Sequence, residues 1–263
     1  MKTRILLYLS MVCFYLIILY SFISLFSIKN SRSDTLRVAI VDTGLNVGDP
    51  RLKDRLCKDG YKNFVEDQGI DDVNGHGTFI AGLIQQFAGK SDYCLLIYKY
   101  YSDSASGQVN LKHEVEAFNE AIKNKADIVN FSGGGPVFEE EEYLIIKDNP
   151  KITFVVSAGN DGHDLDVFGN EFFPASLWLP NEIVVENKKI ESKKNTVKKV
   201  DSHEDLVISS NYSKKAIKEI GENSKSFLPY GKEGYMTGTS MSTAITTGKL
   251  ILSRSKSKVI HGR

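Results

Sequence analysis

Along most of the chain, short apolar runs alternate with stretches in which apolar residues return every third or fourth position. Leu36 to Val41, Cys94 to Tyr98, Asp127 to Phe131, Ile152 to Val156 and Glu182 to Val185 are brief, rich in β-branched or large apolar side chains, and predict buried strands. Phe79, Ile80, Leu83, Ile84 and Phe87 form a stripe at helical spacing, as do Leu111, Val115, Phe118 and Ile122. The run Thr243 to Leu250 is also helix-compatible. Strands alternating with amphipathic helices predict an α/β fold with a mainly parallel sheet covered by helices on both faces. In such sheets ligands bind beyond the carboxyl ends of the strands. Asp42, Ser132 and Asn160 sit at or just after three such ends, so the pattern delivers three polar groups to one rim.

Two regions break this alternation. From Ile5 to Ile28 there is neither a charge nor a proline, and a helix there would reach roughly 36 Å, enough to cross a bilayer core. The apolar core of a cleaved signal peptide is shorter and ends in small residues, whereas this one exits through Ser24-Leu25-Phe26-Ser27-Ile28-Lys29. The segment reads as an uncleaved signal-anchor in preference to a cleaved signal. Flanking Lys2, Arg4, Lys29, Arg32 and Arg37 leave its orientation open. Residues 1–33 are therefore expected as a signal-anchor or signal segment and 34–263 as one catalytic-size domain, membrane-anchored and exported, or secreted. The second region, Asn187 to Asn223, carries Lys188, Lys189, Lys193, Lys194, Lys198 and Lys199 and reads as a solvated surface hairpin or loop.

Composition narrows the picture only slightly. The 33 basic and 33 acidic side chains cancel, so bulk electrostatics suggest no nucleic-acid partner. Of the three cysteines, Cys13 lies in the apolar segment. An oxidising compartment would permit Cys57 and Cys94 to pair, but two free buried thiols are at least as strong an expectation.

Candidate chemistry gathers in four glycine-flanked segments: Val41-Asp42-Thr43-Gly44, Gly75-His76-Gly77-Thr78, Ser157-Ala158-Gly159-Asn160 and Gly238-Thr239-Ser240-Met241-Ser242. A buried carboxylate at a strand end can hold an imidazole in one tautomer and stabilise it when protonated. Glycines beside His76 leave room for a substrate backbone. A serine at a helix N-terminus has N–H groups beside it that favour an anion. An acid, a base, an amide and a hydroxyl are what acyl transfer by an activated serine requires. Taken alone, Asn160 is equally a turn asparagine, and Asp71 and Asp72 are simply the polar approach to His76. Asp-Thr-Gly also occurs in aspartic proteases, but the chain has no second such carboxylate to share a proton. An α/β-hydrolase would need an acid and then a histidine after the serine, and no Asp or Glu lies between Met241 and Ile260.

The order Asp, His, Ser and these motifs closely resemble the subtilisin-like serine proteases (subtilases), from about Thr35 to Leu252. The resemblance implies a subtilisin-like three-layer fold and peptide-bond hydrolysis by Asp42, His76 and Ser240, with Asn160 as oxyanion donor. Phe173-Pro174-Ala175 extends the match. It also implies that Ser132, Gly133 and Gly134, within Asn130-Phe131-Ser132-Gly133-Gly134, bind substrate as an added strand. The partners so implied are a protein or peptide substrate and, through the N-terminal segment, a membrane. No cofactor is expected. Calcium is admitted by resemblance, without an assignable site.

Several positions depart from the family pattern. Phe79 stands where a second histidine is usual, Ala244-Ile245 where proline is common, and Phe227-Leu228-Pro229-Tyr230-Gly231 near the place of Ala-Pro-Gly. The first strand follows the apolar segment directly, which implies folding unaided by a prosegment or with a separate partner. Ser253 to Lys258 reads as a frayed basic tail beyond shortened closing helices. The rival expectation is a catalytically weak or inactive subtilase-fold peptide-binding protein, against which the intact chemical groups argue.

Overall fold

The computed structural model describes residues 35–189, 207 and 209–261, with side chains of the final helix described through residue 257. The apolar segment from Ile5 to Ile28, Cys13 and the lysines from Lys193 to Lys199 lie outside the described residues. Among the described residues, no helix is long and apolar enough to cross a membrane.

Seven strands form one sheet: β1 (Leu36–Asp42), β2 (Leu56–Asn63), β3 (Tyr93–Lys99), β4 (Ile128–Phe131), β5 (Thr153–Ser157), β6 (Glu182–Asn187) and β7 (Ile217–Glu219). Their order is β2-β3-β1-β4-β5-β6-β7, and every pairing is parallel. A small antiparallel hairpin, β8 (Ser224–Phe227) with β9 (Glu233–Met236), lies outside it. The helices are α1 (His76–Ala88), α2 (Gly107–Lys123), α3 (Glu140–Asp148) and α4 (Thr239–His261).

Alternation along each strand divides the core into two layers. Ala39, Val41, Leu96, Tyr98, Val129, Phe131, Phe154 and Val156 pack with Val115 and Phe118 of α2 and Ile145 and Ile146 of α3. Val38, Ile40, Leu95, Ile97, Ile128 and Val155 pack with Phe79, Ile80, Leu83 and Ile84 of α1 and Ala244, Ile245 and Ile251 of α4. The sheet is thus buried on both faces, which is why its strands read as continuous apolar runs.

The central strands and three of the helices match the hydrophobic pattern. The edges do not, because edge elements carry polar residues on their open side. In β2 the exposed Lys58, Asp59, Tyr61 and Lys62 mask a strand whose register against β3 shifts between Leu56 and Tyr61. A disulfide joins Cys57 of β2 to Cys94 of β3, so the two are not free thiols. The stretch expected as a solvated hairpin or loop instead contributes β7, paired in parallel with β6, and the buried Ser210, Asn211 and Ser213. Nor is the basic tail frayed. Helix α4 runs on to His261, with Arg254 donating to the Asp127 carbonyl and to Thr153 Oγ1.

Candidate active site

Strand β1 ends in Asp42 and helix α1 begins at His76, and their side chains meet. His76 Nδ1 lies 2.8 Å from Asp42 Oδ1 and 3.0 Å from Oδ2. Asp42 is buried and also accepts the Thr43 N–H at 2.7 Å. An ionised carboxylate only accepts, so His76 Nδ1 carries the proton and Nε2 presents its lone pair outward. The His76 side chain is 26% exposed. Burial pulls its pKa down, but the charge and hydrogen bond of Asp42, with the charge of Asp72, outweigh it and raise it above the ordinary histidine value.

Asp72 does more than lead into His76. It is 1% exposed. Its carboxylate accepts from Thr43 Oγ1 (2.8 Å), Gly75 N (2.7 Å), Thr78 N (2.8 Å) and Thr78 Oγ1 (2.6 Å). A buried carboxylate so thoroughly bonded is held rigidly, and a negative charge at a helix N-terminus also suits the dipole. Asp72 thereby ties the start of α1, and with it His76, to the end of β1. Thr43 completes the link by accepting the Gly77 N–H at 2.9 Å. Gly77 is required here, since a Cβ would run into the Gly44 carbonyl and come within 3.2 Å of Asp42 Oδ1.

Ser240 is the second residue of α4, beside the buried Thr239. Its Oγ donates to the Ser132 carbonyl at 3.0 Å, and among the described residues no hydrogen bond joins it to His76. Ser132 Oγ in turn donates to the Ser240 carbonyl at 3.2 Å and accepts from Asn130 Nδ2 at 3.1 Å. Thr247 of α4 donates to Asn130 Oδ1 at 2.8 Å, closing a buried chain between β4 and α4. The turn that carries Ser240 is clamped to the strand end at both its backbone and its side chain.

Asn160 follows β5. Its Oδ1 accepts the Thr239 N–H at 3.0 Å and Thr239 Oγ1 at 3.2 Å. A backbone N–H can only donate, which fixes the amide orientation and leaves Nδ2 free to donate elsewhere. The turn carrying Asn160 is held by Asn211, a buried residue in the stretch expected to be solvated. Asn211 Oδ1 accepts from Asp161 N and His163 N, both at 2.9 Å, while its Nδ2 donates to the Ala158 carbonyl at 2.9 Å. Its backbone N–H also donates to the Gly159 carbonyl. No sequence signal pointed to Asn211, because its partners are backbone groups of a turn distant in the chain.

Ser132, Gly133 and Gly134 leave the end of β4 next to these groups. Gly134 has φ 142°, and a side chain there would strike Phe172 and the Phe173 carbonyl. Asp42, His76, Ser132, Asn160 and Ser240 are therefore gathered at one rim, where the arrangement offers a base, a hydroxyl and a free amide donor. Among the described residues no three His, Cys, Asp or Glu side chains cluster as metal ligands.

Comparison with known proteins identifies the family. The Subtilase family matches residues 33–260. The chain is 30% identical over 241 residues to the major intracellular serine protease of Bacillus subtilis (strain 168), spanning 86% of this chain and 70% of that one. It is 32% identical over 138 residues to the human membrane-bound transcription factor site-1 protease, covering 48% of this chain and 12% of that one. In fold it resembles a lanthipeptide protease crystal structure, with TM-score 0.70 and 20% identity over 87% of this chain and 75% of the other. Matched over nearly all of its described length, the chain belongs to the subtilase family and is a subtilisin-like serine endopeptidase.

Proposed function

We propose that the chain cleaves peptide bonds through an acyl-enzyme formed on Ser240. Rotation of the Ser240 side chain away from the Ser132 carbonyl brings Oγ to His76 Nε2, which takes its proton as Oγ adds to the scissile carbonyl carbon. The oxyanion is met by Asn160 Nδ2 and the Ser240 N–H at the start of α4. The carbon–nitrogen bond then breaks, and His76 passes its proton to the leaving amine. Water repeats the sequence on the ester, releasing the acid and returning the proton to Ser240. Asp42 holds the imidazole tautomer and balances its charge when protonated.

The observation that carries this reading is the Asp42–His76 contact at 2.8 Å, on the same rim as an amide whose orientation is fixed by Thr239. Ser132, Gly133 and Gly134 pair with the substrate backbone as an added strand. A peptide N–H bound to the Ser132 carbonyl displaces Ser240 Oγ from it, so substrate binding itself frees the nucleophile. We place this domain behind an apolar anchor or signal at Ile5 to Ile28, in an exported setting. The Cys57–Cys94 disulfide supports an oxidising compartment.

A serine-directed fluorophosphonate tests the mechanism. The folded protein should label, and Ser240→Ala should not. Absence of labelling, or labelling unchanged by Ser240→Ala, removes the proposal and leaves a peptide-binding protein of the same fold.

A further inference from the structure

Lys99 is the last residue of β3 and is 1% exposed. A lysine ordinarily keeps its ammonium in water, and burying that charge is costly unless something compensates for it. Burial lowers the pKa of Lys99, and the charges of Asp72 and Asp71 oppose that shift. The proposed cleavage steps make no use of this cation.

Its place in the sheet gives it one. Strands β1 and β3 pair in parallel with Lys99 opposite Asp42. Two residues earlier on each strand, Ile97 and Ile40 both pack toward α1 and α4. Alternation therefore turns Lys99 and Asp42 to that same side, where His76 begins α1. The Lys99 stem passes against the turn after Asp42, since a Cβ on Gly44 would come within 3.1 Å of Lys99 Cδ. At its far end Nζ donates to the Asp71 carbonyl at 2.8 Å. The same two segments meet again where the Leu45 N–H donates to the Ile70 carbonyl at 3.1 Å. One buried side chain thus spans the turn that carries Asp42 and the loop that leads to His76.

The loop matters because of its next residue. Asp72 holds Gly75 and Thr78 on either side of His76, and its four donors are all uncharged. Lys99 fixes the peptide that precedes Asp72 and sets a positive charge near its buried carboxylate.

We propose that Lys99 is a positioning residue for the Asp42–His76 pair, fixing the loop from which Asp72 aims His76. This inference rests on the reading of His76 as the general base. Among the described residues Lys99 bonds neither His76 nor Ser240, so its effect reaches the chemistry through the placement of His76.

The test replaces Lys99 by methionine, which keeps an unbranched apolar stem and loses the ammonium. Arg254→Met is the control. Arg254 also donates to a backbone carbonyl of the sheet region, that of Asp127, but at the opposite ends of the strands. Assays at low temperature in sucrose keep a destabilised variant folded. In Lys99→Met kcat should fall by about tenfold to a hundredfold, the scale of a small misplacement of a catalytic group, with KM little changed. Arg254→Met should lower the melting temperature and leave kcat at the parental value.

A second readout needs no turnover. The proton that His76 Nδ1 shares with Asp42 resonates far downfield in the proton NMR spectrum, and its loss in His76→Ala assigns it. In Lys99→Met this resonance should move upfield or broaden through exchange with water, and in Arg254→Met it should stay in place. Lys99→Arg keeps a charge and donors at the site, and takes over if Lys99→Met does not fold. Its longer, planar head displaces the Asp71 carbonyl, so the resonance should move and kcat should fall at constant KM. An unmoved resonance in a folded Lys99 variant overturns the proposal. So does parental kcat in that variant of a cleaving protein, or an equal loss of kcat in Arg254→Met. A protein that cleaves no peptide, yet whose resonance moves in Lys99→Met, loses the proposed function and keeps this role for Lys99.

Discussion

Two groups of buried polar residues, one holding His76 and Ser240 and one between α2, α3 and β6, are satisfied differently. In the first, the residues that hold His76 and Ser240 are bonded to one another. Asp72 accepts from two backbone N–H groups and two hydroxyls, and Asn130 bridges Thr247 and Ser132. In the second, Glu114, Glu142 and Glu182 each keep an oxygen with no partner. Bonded burial fixes atoms in place, as a base and a nucleophile require. Unbonded burial leaves a demand that a proton must meet. The first group is built to position and the second to respond.

On the proposed mechanism, removing His76 breaks the positioning group most severely. His76→Ala should lower kcat by about 10⁶-fold, and combining it with Ser240→Ala should cost little more, since the two act as a unit. Asp42→Asn should cost about 10⁴-fold. Because Asp42 is what raises the His76 pKa, Asp42→Asn should also move the acid limb of the kcat/KM profile to lower pH. The histidine side chain is partly exposed, so His76→Ala should fold, as far-UV circular dichroism can check. Near-normal cleavage by folded His76→Ala would mean that the base is another group.

Asn160→Ala removes a donor while leaving its anchor, Thr239, in place. Its kcat should fall by about 10²–10³ with KM little changed, because the oxyanion forms only in the transition state. A rise in KM at constant kcat would reassign Asn160 to substrate binding.

Asn211 sharpens the comparison, because it contacts the turn that carries Asn160 and, on the proposed mechanism, acts through that residue. Asn211→Ala strands two N–H groups and a carbonyl of the Asn160 turn. Urea denaturation should show a loss of about 1–3 kcal/mol. Activity should fall roughly tenfold, and the loss should not add to that of Asn160→Ala, since both act through one donor. Additive losses in that double-mutant cycle would reduce Asn211 to a stabilising residue.

Much of the positioning group was legible in the sequence. Asp42, His76, Asn160 and Ser240 stand at the ends of periodic segments, where a strand or helix boundary and a glycine announce themselves locally. Ser132 was legible for the same reason. The groups that hold them were not. Asp72 reads as one acid in a polar loop until folding surrounds it with Thr43, Gly75 and Thr78. Asn211 lies beyond a lysine-rich stretch, and nothing local reveals that it faces the turn after β5. The responding group was hidden more completely. Glu139 to Glu142 look like solvated charge, and only the packing of α3 against α2 shows that Glu142 is buried beside Glu114. Periodicity reports which face of an element is apolar; it does not report a polar residue placed on that face.

Glu182 offers the mildest test of the responding group. Burial raises its pKa to about 8, with the charge of Glu142 assisting and the Leu179 N–H, at 2.6 Å, opposing. An unfolded chain sheds this proton near the ordinary value of 4.5, whereas the folded chain keeps it to about 8. The folded state therefore binds more protons in that window, and this residue's contribution to stability is lost as pH rises through it. Glu182→Gln removes the titration while retaining an acceptor for Leu179. The variant and the parent should melt alike near pH 4.5, and the variant should gain by a few °C as pH approaches 8, at about 2–4 °C per kcal/mol for a chain of this size. A melting-temperature difference that stays constant across the window would show that Glu182 is satisfied as it stands.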